Sequence, residues 1–277
     1  MKLLICGGGG MLGADVARAA ELANHAVVVA DRQSLDVTNP AAVTRRVEHV
    51  RPDAVVNCAA FTNVDGAEHE PDEAMRVNAD GARNVSLAAA RVGAAVVYPS
   101  TDYVFDGKKD SPYVESDEPT PLSSYGVSKL AGEVDTAAVN PKHYLVRSSW
   151  LFGTAGRNFV ETMLDLAERE REVMVVRDQV GCPTYTAHLA EGIVRLLDSG
   201  AFGLHHMAAG GNCSWYDFAV AIFEQAGTGT RVMSTTTAEL GRPAARPEWS
   251  VLATQWDDAL YLPDWQDGLA DYLAERE

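Results

Sequence analysis

Short apolar runs alternate with amphipathic stretches along the first 150 residues of the chain. A short apolar run is typical of a buried strand, whereas a helix shows one apolar side at a period near 3.6 residues. By these patterns the predicted strands are residues 2–6, 25–31, 53–60, the start of 94–105, and 142–153. The predicted helices are residues 12–24, the second part of 35–52, 77–93 and a segment that begins near Tyr125. Strands that alternate with helices form a parallel sheet covered on both faces, so we predict an α/β fold with a doubly wound, Rossmann-type sheet.

The regular alternation weakens after residue 150. There the pattern predicts helices at 159–172, from about Thr186, and at 214–227, with one strand, EVMVVRD, between the first two. We therefore divide the chain into a first domain, residues 1–150, and a smaller α/β portion, residues 151–277. The boundary is soft, because later segments can return to the first domain.

Charge and hydropathy exclude two classes of partner. The chain of 277 residues has a formal net charge of −16, whereas nucleic-acid-binding surfaces are basic. No apolar run reaches the ~18 residues that a membrane span requires, and the apolar N-terminus is too short for a signal peptide. We therefore expect a cytoplasmic protein with no nucleic-acid and no membrane partner. A phosphate-bearing ligand must be held by local positive groups, such as helix N-termini and arginines.

A glycine-rich turn joins the first predicted strand to the first predicted helix. In GGGGMLG, Gly7, Gly10 and Gly13 match the pattern G-x-x-G-x-x-G, and Met11 and Leu12 lie between the last two glycines. Glycines at such a turn let a pyrophosphate approach the backbone, and the helix N-terminus supplies free N–H groups. The stretch therefore predicts dinucleotide binding.

Two alternatives exist for this stretch. A nucleoside-triphosphate-binding loop needs Lys and Ser/Thr after its last glycine, but Ala14 and Asp15 stand there, so that class is excluded. A plain glycine-rich turn is the simpler alternative, and the order of strand, glycines and helix favours dinucleotide binding over it.

The end of the second predicted strand offers candidates for the adenosine part of a dinucleotide. Asp31 follows Gly13 by 18 residues, where an acidic side chain can accept hydrogen bonds from a ribose. Arg32 beside it can meet a 2′-phosphate, although a solvated pair at a strand end is the plain alternative. Asp36 and Val37 are expected to border the adenine from their position alone. Because Asp31 favours a free 2′-hydroxyl and Arg32 favours a phosphate, we expect both NADH and NADPH to be accepted.

Tyr125 and Lys129 lie four residues apart in YGVSK, where a helix is predicted to begin. Residues i and i+4 share a helix face, so both side chains should point toward the carboxyl edge of the sheet, where doubly wound folds bind ligands. A lysine charge about 6 Å from a phenol, at an effective dielectric near 20, is worth roughly 3 kcal/mol or about two pKa units. The spacing therefore predicts a Tyr125 phenol with a lowered pKa, suited to general-acid catalysis.

Chance alone often puts a tyrosine four residues before a lysine on an exposed helix. The place of Tyr125 and Lys129 downstream of a dinucleotide-binding turn favours the catalytic interpretation. Thr101 ends the fourth predicted strand, and its hydroxyl can bond a substrate carbonyl oxygen beside Tyr125.

Several motifs resemble those of one protein family. They are the G-x-x-G-x-x-G turn, NCAAFTNVDGAE, VNADGARNVSLAA, STDYVFDG, PLSSYGVSKLAGE, VRSSWLFG, NFVETML, DQVGCPTY and SWYDFA. Together they resemble the extended short-chain dehydrogenases/reductases and, within these, the dTDP-4-dehydrorhamnose reductase family. The resemblance covers most of the chain, and the joint match is specific although no single piece is.

The resemblance implies roles for particular residues. It makes Thr101, Tyr125 and Lys129 the catalytic trio, in which Tyr125 protonates the C4 oxygen of a 4-keto sugar nucleotide and Lys129 also binds the nicotinamide ribose. It puts Asp102 and Trp150 near the sugar, with a core aromatic as the alternative for Trp150. The residues that it places along the cofactor's path are Ala59, Ala60 and Thr62.

The second half offers candidates for the nucleotide and the sugar. Arg157, Arg242 and Arg246 stand in or next to loops, and arginine forks suit diphosphate oxygens; full solvation is the alternative for at least one of them. The family usually shows R-P-x-N-S-x-L-D, but Trp249 and Ala253 replace its Asn and its Asp here. We therefore expect Trp249 on the substrate side and an altered preference for the sugar.

No metal site is predicted. The four cysteines are far apart, and the seven histidines form no HExxH pattern. Some members of the family form a magnesium-bridged dimer through acidic residues. Asp15 matches one such position, but residues 183–193 offer no acid at the expected partner position. A homodimer stays open, without a bridging metal.

The predicted function is the NAD(P)H-dependent reduction of the C4 ketone of a nucleotide-linked 4-keto-6-deoxy sugar, with dTDP-4-dehydro-L-rhamnose as the expected substrate. Residues 1–150 are then the NAD(P)-binding domain and residues 151–277 the substrate-binding portion. One alternative is a regulatory subunit that binds NADP without turnover, which would not need the intact trio. Another is a sugar-nucleotide epimerase or dehydratase on the same scaffold, which needs further acid/base groups than the pair Thr101 and Asp102.

Overall fold

The computed structural model describes residues 1–257 and 259–276. The strands are β1 (Lys2–Cys6), β2 (Ala26–Ala30), β3 (Ala54–Asn57), β4 (Ala95–Thr101), β5 (His143–Ser148), β6 (Leu151–Phe152), β7 (Glu172–Val176), β8 (Val180–Gly181), β9 (Thr184–Tyr185), β10 (Gly203–His206), β11 (Cys213–Ser214) and β12 (Arg231–Thr235). The α-helices are α1 (Met11–Leu22), α2 (Pro40–Val50), α3 (Val64–His69), α4 (Pro71–Met75), α5 (Gly81–Arg91), α6 (Ser124–Val139), α7 (Phe159–Ala167), α8 (Thr186–Ser199), α9 (Trp215–Gln225), α10 (Thr237–Leu240) and α11 (Trp265–Arg276). A π-helical turn (Arg76–Asp80) precedes α5, and a 3₁₀ turn (Asp102–Val104) follows β4.

A six-stranded sheet forms the centre of the molecule, with the strand order β10-β5-β4-β3-β1-β2. Every neighbouring pair in it is parallel. The order reverses direction between β1 and β3, and ligands of doubly wound folds bind at such a point, outside the carboxyl ends of the strands. The predicted α/β fold with a doubly wound parallel sheet is confirmed.

Successive side chains of each central strand are buried under helices on opposite faces of the sheet. Leu3 and Ile5 of β1 pack in one apolar cluster with residues of α1 and α8. Leu4 and Cys6 of the same strand pack in another cluster with residues of α2 and α5. The apolar runs of the sequence are continuous because both faces of these strands are buried.

Chain from both halves builds the central layer. The strand β10 pairs with β5 in the sheet, and α8 packs against the same apolar face as α1. The other elements of the second half surround an aromatic core in which Phe152, Phe218 and Tyr272 are buried. Ser214 caps α9 in the reciprocal arrangement that its spacing from Asp217 predicts.

Two helices differ from the sequence prediction. The helix predicted at 159–172 ends at Ala167, because its buried positions stop at Leu164 and the hydroxyl of Thr230 donates hydrogen bonds to the carbonyls of Ala167 and Glu170. The helix predicted at 77–93 begins as the π-helical turn. Within residues 1–257 and 259–276, no helix has both the length and the apolar character needed to span a membrane.

Candidate active site

The glycine turn after β1 forms a close-packed cradle. Gly7 has a φ of +73°, and a Cβ there would lie 2.5 Å from the backbone nitrogen of Ala59. A Cβ at Gly13 would overlap the carbonyl oxygen of Gly7, so both positions require glycine. Gly10 caps the N-terminus of α1 with no side-chain hydrogen bond, which leaves that end of the helix to an anion. The residues present therefore fit the pyrophosphate of a dinucleotide.

A cleft of about 720 Å³ opens in front of this cradle. It contains most of the residues predicted to bind a cofactor. The others lie outside its lining: Met11, Leu12 and Gly13 are in the first turn of α1, and Tyr125 and Lys129 are on α6. The predicted residues that line the cleft are Gly7, Gly10, Asp31, Arg32, Asp36, Val37, Ala59, Ala60 and Thr62. The sequence prediction and the cleft thus coincide over three separate segments of the chain.

Two carboxylates in the cleft are held by turns that follow β2. Asp31 accepts hydrogen bonds from the backbone N–H and hydroxyl of Ser34 at 2.8 and 2.7 Å, and these bonds lower the pKa of its carboxyl. Asp36 is held in the same way by Thr38, at 2.9 and 2.7 Å. Arg32 is exposed beside Asp31. A ligand in this part of the cleft would therefore meet an oriented carboxylate and an exposed guanidinium.

Tyr125 lies in the first turn of α6, whose N-terminus is fixed from two sides. The hydroxyl of Ser123 accepts a hydrogen bond from the N–H of Gly126, and the carboxylate of Glu68 accepts one from the N–H of Ser124 at 2.7 Å. The hydroxyl of Thr101 lies beside the phenol of Tyr125 and lowers its pKa, but burial and the charge of Asp102 raise that pKa further. The net pKa of the phenol is above its usual range.

Lys129 is buried on α6, one helical turn after Tyr125. Its ammonium group donates a hydrogen bond to the carbonyl of Pro99 at 2.7 Å and lies 4.1 Å from the ring centroid of Tyr98. Burial lowers the pKa of Lys129 to about 8. The expected lowering of the Tyr125 pKa by Lys129 is therefore wrong for this structure, because desolvation of the phenol exceeds any help from the ammonium group.

Asp102 follows Thr101 at the carboxyl end of β4 and is almost fully buried, with 2% of its surface exposed. The hydroxyl of Thr101 donates to one carboxylate oxygen at 3.1 Å, and the hydroxyl of Ser149 donates to the other at 3.1 Å. Burial raises the pKa of Asp102 to about 6, although hydrogen bonds from Ser250, Ser149 and Thr101 oppose the rise.

Trp150 occupies a backbone conformation that is costly for a large side chain. Its φ is +49°, in the left-handed region that favours glycine. Its ring stacks on that of Trp215 at a centroid distance of 3.6 Å and an interplanar angle of 3°. A Cβ at Gly181 would lie 2.5 Å from the indole of Trp150, so a glycine is needed there. The half-buried indole is thus a fixed platform one residue after Ser149, which contacts Asp102.

The three predicted diphosphate ligands are in different surroundings. Arg246 donates to both carboxylate oxygens of Asp65 at 2.9 and 3.0 Å, and its side chain is 11% exposed. Arg242 contacts the same carboxylate at 3.2 Å but is 55% exposed. These bonds and that of Ala244 lower the pKa of Asp65 to about 2, against the effect of burial. Arg157 is exposed, in a loop whose residue Gly156 lies near Met11 of the glycine turn.

Trp249 contacts the loop 107–124 and an apolar cluster. Its indole N–H donates to the carbonyl of Ser111 at 3.0 Å, and its ring packs on an apolar cluster that includes Val104 and Leu252. The side chain therefore holds the long loop 107–124 against the second half. This contact gives the replacement of the family's asparagine a structural role that the sequence did not indicate.

The sequence prediction missed several residues that shape the site. Asn78 accepts a hydrogen bond from the N–H of Phe61 at 2.8 Å and donates one to the hydroxyl of Ser128 at 2.9 Å. Asn78 thereby connects the wall of the cleft to α6, and the π-helical turn determines the direction in which the Asn78 side chain points. The other missed residues are Asp65, Ser149, Trp215 and Ser250. An asparagine at a position predicted inside a helix was the one local signal.

Comparison with known proteins shows close relatives. The whole chain, residues 1–277, matches the family model described as RmlD substrate binding domain. The spore coat polysaccharide biosynthesis protein SpsK of Bacillus subtilis (strain 168) is 42% identical over 277 residues, covering 99% of this chain and 98% of that protein. The dTDP-4-dehydrorhamnose reductase of Escherichia coli (strain K12) is 39% identical over 294 residues, covering 99% and 98%. The solved structure of dTDP-4-dehydrorhamnose reductase from Bacillus anthracis in complex with NADP is 39% identical, with a TM-score of 0.96 over 99% of each chain.

Sheet, cleft and relatives agree on the class of protein: the chain is a nicotinamide-dependent oxidoreductase. Within that class it belongs to the dTDP-4-dehydrorhamnose reductase family, whose model matches it from the first residue to the last. The predicted resemblance, the prediction of an enzyme and the prediction of a nicotinamide cofactor are thereby confirmed.

Proposed function

We propose that this enzyme reduces the C4 ketone of dTDP-4-dehydro-L-rhamnose to give dTDP-L-rhamnose, with NADPH or NADH as the reductant. The observation that carries the proposal is the Tyr125 phenol beside the Thr101 hydroxyl, at the carboxyl end of the central strand β4. A carbonyl oxygen held between these two groups can receive a proton at the moment it gains negative charge. The reductase from Escherichia coli, similar over nearly the whole chain, supports the choice of substrate.

The reaction assigns each nearby group a separate task. The nicotinamide, when bound, supplies the hydride for the carbonyl carbon. The Thr101 hydroxyl orients the carbonyl oxygen, and Tyr125 keeps its proton through neutral pH because its pKa is raised. Lys129 is already fixed by the carbonyl of Pro99, and we propose that its ammonium group also holds the nicotinamide ribose.

The cofactor is proposed to lie across the cleft, with its pyrophosphate at the cradle of Gly7, Gly10 and Gly13. The adenosine ribose would reach Asp31 and Arg32, beyond which Asp36 and Val37 border the adenine. The remaining proposed contacts are Met11 and Leu12 of the first turn of α1 and the wall residues Ala59, Ala60 and Thr62.

The substrate is proposed to bind on the other side of Tyr125. The sugar would rest near Asp102 and on the platform of Trp150, since the apolar face of a sugar ring packs well on an indole. Arg242 is the proposed diphosphate ligand, because it is half exposed, whereas Arg246 is largely buried and donates to both carboxylate oxygens of Asp65. Arg157 lies toward the glycine turn, so its proposed contact shifts to the cofactor phosphates.

The sugar itself has an alternative. The relative SpsK is named for spore coat polysaccharide biosynthesis, and Trp249 and Ala253 depart from the family's usual motif. A related 4-keto-6-deoxy sugar nucleotide is therefore the second candidate substrate. A regulatory subunit without turnover would not need the Thr101, Tyr125 and Lys129 cluster, which argues against that function.

A substrate screen tests the proposal. The enzyme is incubated with NADPH and either dTDP-4-dehydro-L-rhamnose, its C3 and C5 epimers, or the same sugars on other nucleotides, and NADPH absorbance is followed. We expect fastest oxidation with dTDP-4-dehydro-L-rhamnose. Faster turnover of another 4-keto sugar would overturn the specific substrate, and turnover of none would overturn the reductase function.

A further inference from the structure

A buried carboxyl group lies next to the proposed acid, and the reaction as described so far does not use it. Asp102 is enclosed by hydroxyl groups: Thr101 and Ser149 donate to its two oxygens, and Ser250 lies within reach as well. Among the residues that the structure describes, no lysine or arginine forms an ion pair with it. A buried carboxylate without a cation is costly, and a buried carboxyl group with a raised pKa next to a proposed catalytic residue is a candidate for function.

The hydroxyl of Thr101 touches both acidic groups. It donates a hydrogen bond to Asp102 at 3.1 Å and lies beside the phenol of Tyr125. A hydroxyl in this position can accept a proton from one side while giving one to the other. Thr101 is therefore placed to relay a proton from the carboxyl group to the phenol, once its hydrogen bond with Asp102 reverses direction.

We propose that Asp102 stores the proton that restores Tyr125 after each reduction and delivers it through Thr101. The inference rests on the proposed function. When the C4 oxygen takes the proton of Tyr125, a phenolate is left. Thr101 gives its hydroxyl proton to the phenolate oxygen and takes a proton from the carboxyl of Asp102, which becomes a carboxylate. Water returns a proton to Asp102 once the product has left, so each turnover consumes one proton from solvent.

The charges around Asp102 favour this direction of transfer. A neutral Asp102 puts no like charge beside the phenolate, whereas an ionised one opposes its formation. The titratable groups that face Asp102 are Tyr103 in its own 3₁₀ turn, Tyr125 of α6 and Cys182 between β8 and β9. Arg246 acts on Tyr103 from the second half. Burial keeps the pKa of Asp102 near 6, so the carboxyl exchanges its proton in the range where the enzyme would work.

The pH dependence of repeated turnover tests the proposal, because only turnovers after the first draw on the stored proton. Steady-state turnover rates with NADPH and dTDP-4-dehydro-L-rhamnose are measured from pH 5 to 9 for the wild type, Asp102→Asn, Ser149→Ala and the control Ser199→Ala. Ser199 bonds the carbonyl of Leu196 at the end of α8, away from Asp102. We expect the wild-type and control rates to fall as pH rises through the pKa of Asp102. The Asp102→Asn enzyme should react at least tenfold more slowly than the wild type at pH 6, and its rate should lose this fall with pH, which we call the pH limb.

Ser149→Ala gives the sharpest outcome. A substitution that only loosens the structure would not shift the pH dependence of the rate in a defined direction, whereas this one should. It removes a donor to the ionised carboxylate, so the limb should shift to higher pH. Titration of the ¹³C-labelled Asp102 carboxyl in the whole enzyme should shift upward in the same variant, which keeps the proposal testable if Asp102→Asn does not fold. An unmoved limb in Ser149→Ala, or an unchanged limb in Asp102→Asn, overturns the proton store and leaves the reductase function intact. Absence of turnover with every 4-keto sugar nucleotide instead overturns the reductase function.

Discussion

At the scale of single residues, the proposed chemistry depends on a phenol that keeps its proton. The spacing of Tyr125 and Lys129 predicted an acidified phenol, but burial and the charge of Asp102 raise its pKa. Such a group gives up its proton only to a strong base, such as the oxyanion formed by hydride transfer. The spacing indicated the two residues, whereas the pKa of the phenol depends on its burial and on the charge of Asp102 at the end of β4, which helical spacing cannot reveal.

Replacement of Tyr125 by Phe should lower turnover by roughly 10²- to 10⁴-fold, because proton transfer to the oxyanion is lost. The affinity for NADP⁺ should change little, since the ring remains. Stopped-flow turnover and calorimetric binding check the two quantities separately. Lys129→Met should impair both. A Tyr125→Phe enzyme with the wild-type rate would remove Tyr125 from the mechanism.

Arg32 should decide how well the enzyme uses a 2′-phosphate. It is exposed in the cleft beside Asp31, whose carboxylate is fixed by Ser34. Arg32→Ala should raise the KM for NADPH far more than the KM for NADH, because only NADPH carries the phosphate. Arg45→Ala, on the exposed side of α2, is the matched control. Equal changes of the two KM values in Arg32→Ala would contradict this role.

Asp102 should lower the stability of the fold at neutral pH. Its pKa is raised from 3.8 to about 6, so the folded chain binds the proton more tightly than the unfolded chain. Stability should therefore fall as pH rises from about 4 to 6 and stay reduced above that range. Asp102→Asn removes this cost. Urea unfolding should find the variant more stable than the wild type by up to about 3 kcal/mol at pH 8, with little difference at pH 4. No gain at pH 8 would mean that the carboxylate is well solvated.

At the scale of secondary-structure elements, α6 is the part of the fold that aligns the site. Tyr125, Lys129 and Glu133 follow one another at intervals of four residues, so they share one face of the helix. Glu133 forms two hydrogen bonds with Arg147 of β5, at 2.9 and 2.7 Å, and both side chains are almost fully buried. This ion pair fixes the depth at which Tyr125 and Lys129 lie against the sheet.

Glu133→Gln should destabilise the protein by about 3–5 kcal/mol, because it leaves the buried guanidinium of Arg147 without a counter-charge. The control is Asp135→Asn on the same helix. Asp135 pairs with Arg83 on the surface, where an ion pair contributes less than about 1 kcal/mol. Chemical denaturation of both variants measures the difference. Similar losses in the two would show that the buried pair does not hold α6.

The π-helical turn before α5 shows where pattern analysis stops. Its residues continue the helical hydrophobic pattern, and the sequence therefore predicted a regular helix from residue 77. The extra residue in the turn directs Asn78 into a buried position between Phe61 and Ser128. Tertiary hydrogen bonds choose this geometry, and such turns are frequent at functional sites.

At the scale of the whole molecule, the sequence predicted the central sheet well because its strands are apolar on both faces. It did not predict β10, whose residues Gly203–His206 include two histidines and form no apolar run. The strand forms because β5 offers it a parallel edge, a contact between residues distant in the chain. The division at residue 150 stays a prediction.

Contacts between distant parts of the chain also explain why the sequence could not distinguish the exposed arginines from the buried one. Arg246 and Asp65 are 181 residues apart in the chain yet share two hydrogen bonds. In this pairing the side chain of Arg246 is largely buried, whereas that of Arg242 stays half exposed. In a chain with a net charge of −16, such accessible cations and the N-terminus of α1 are the means of holding anions.

The central claim is that hydride reaches C4 of a 4-keto sugar nucleotide at this site. Its most direct test is to incubate the enzyme with dTDP-4-dehydro-L-rhamnose and NADPH that carries deuterium at the transferred position, and to examine the product by NMR. We expect dTDP-L-rhamnose with deuterium at C4, formed by the wild type and, at a rate at least 10²-fold lower, by Tyr125→Phe. A product without deuterium at C4, or no product at all, would contradict the central claim.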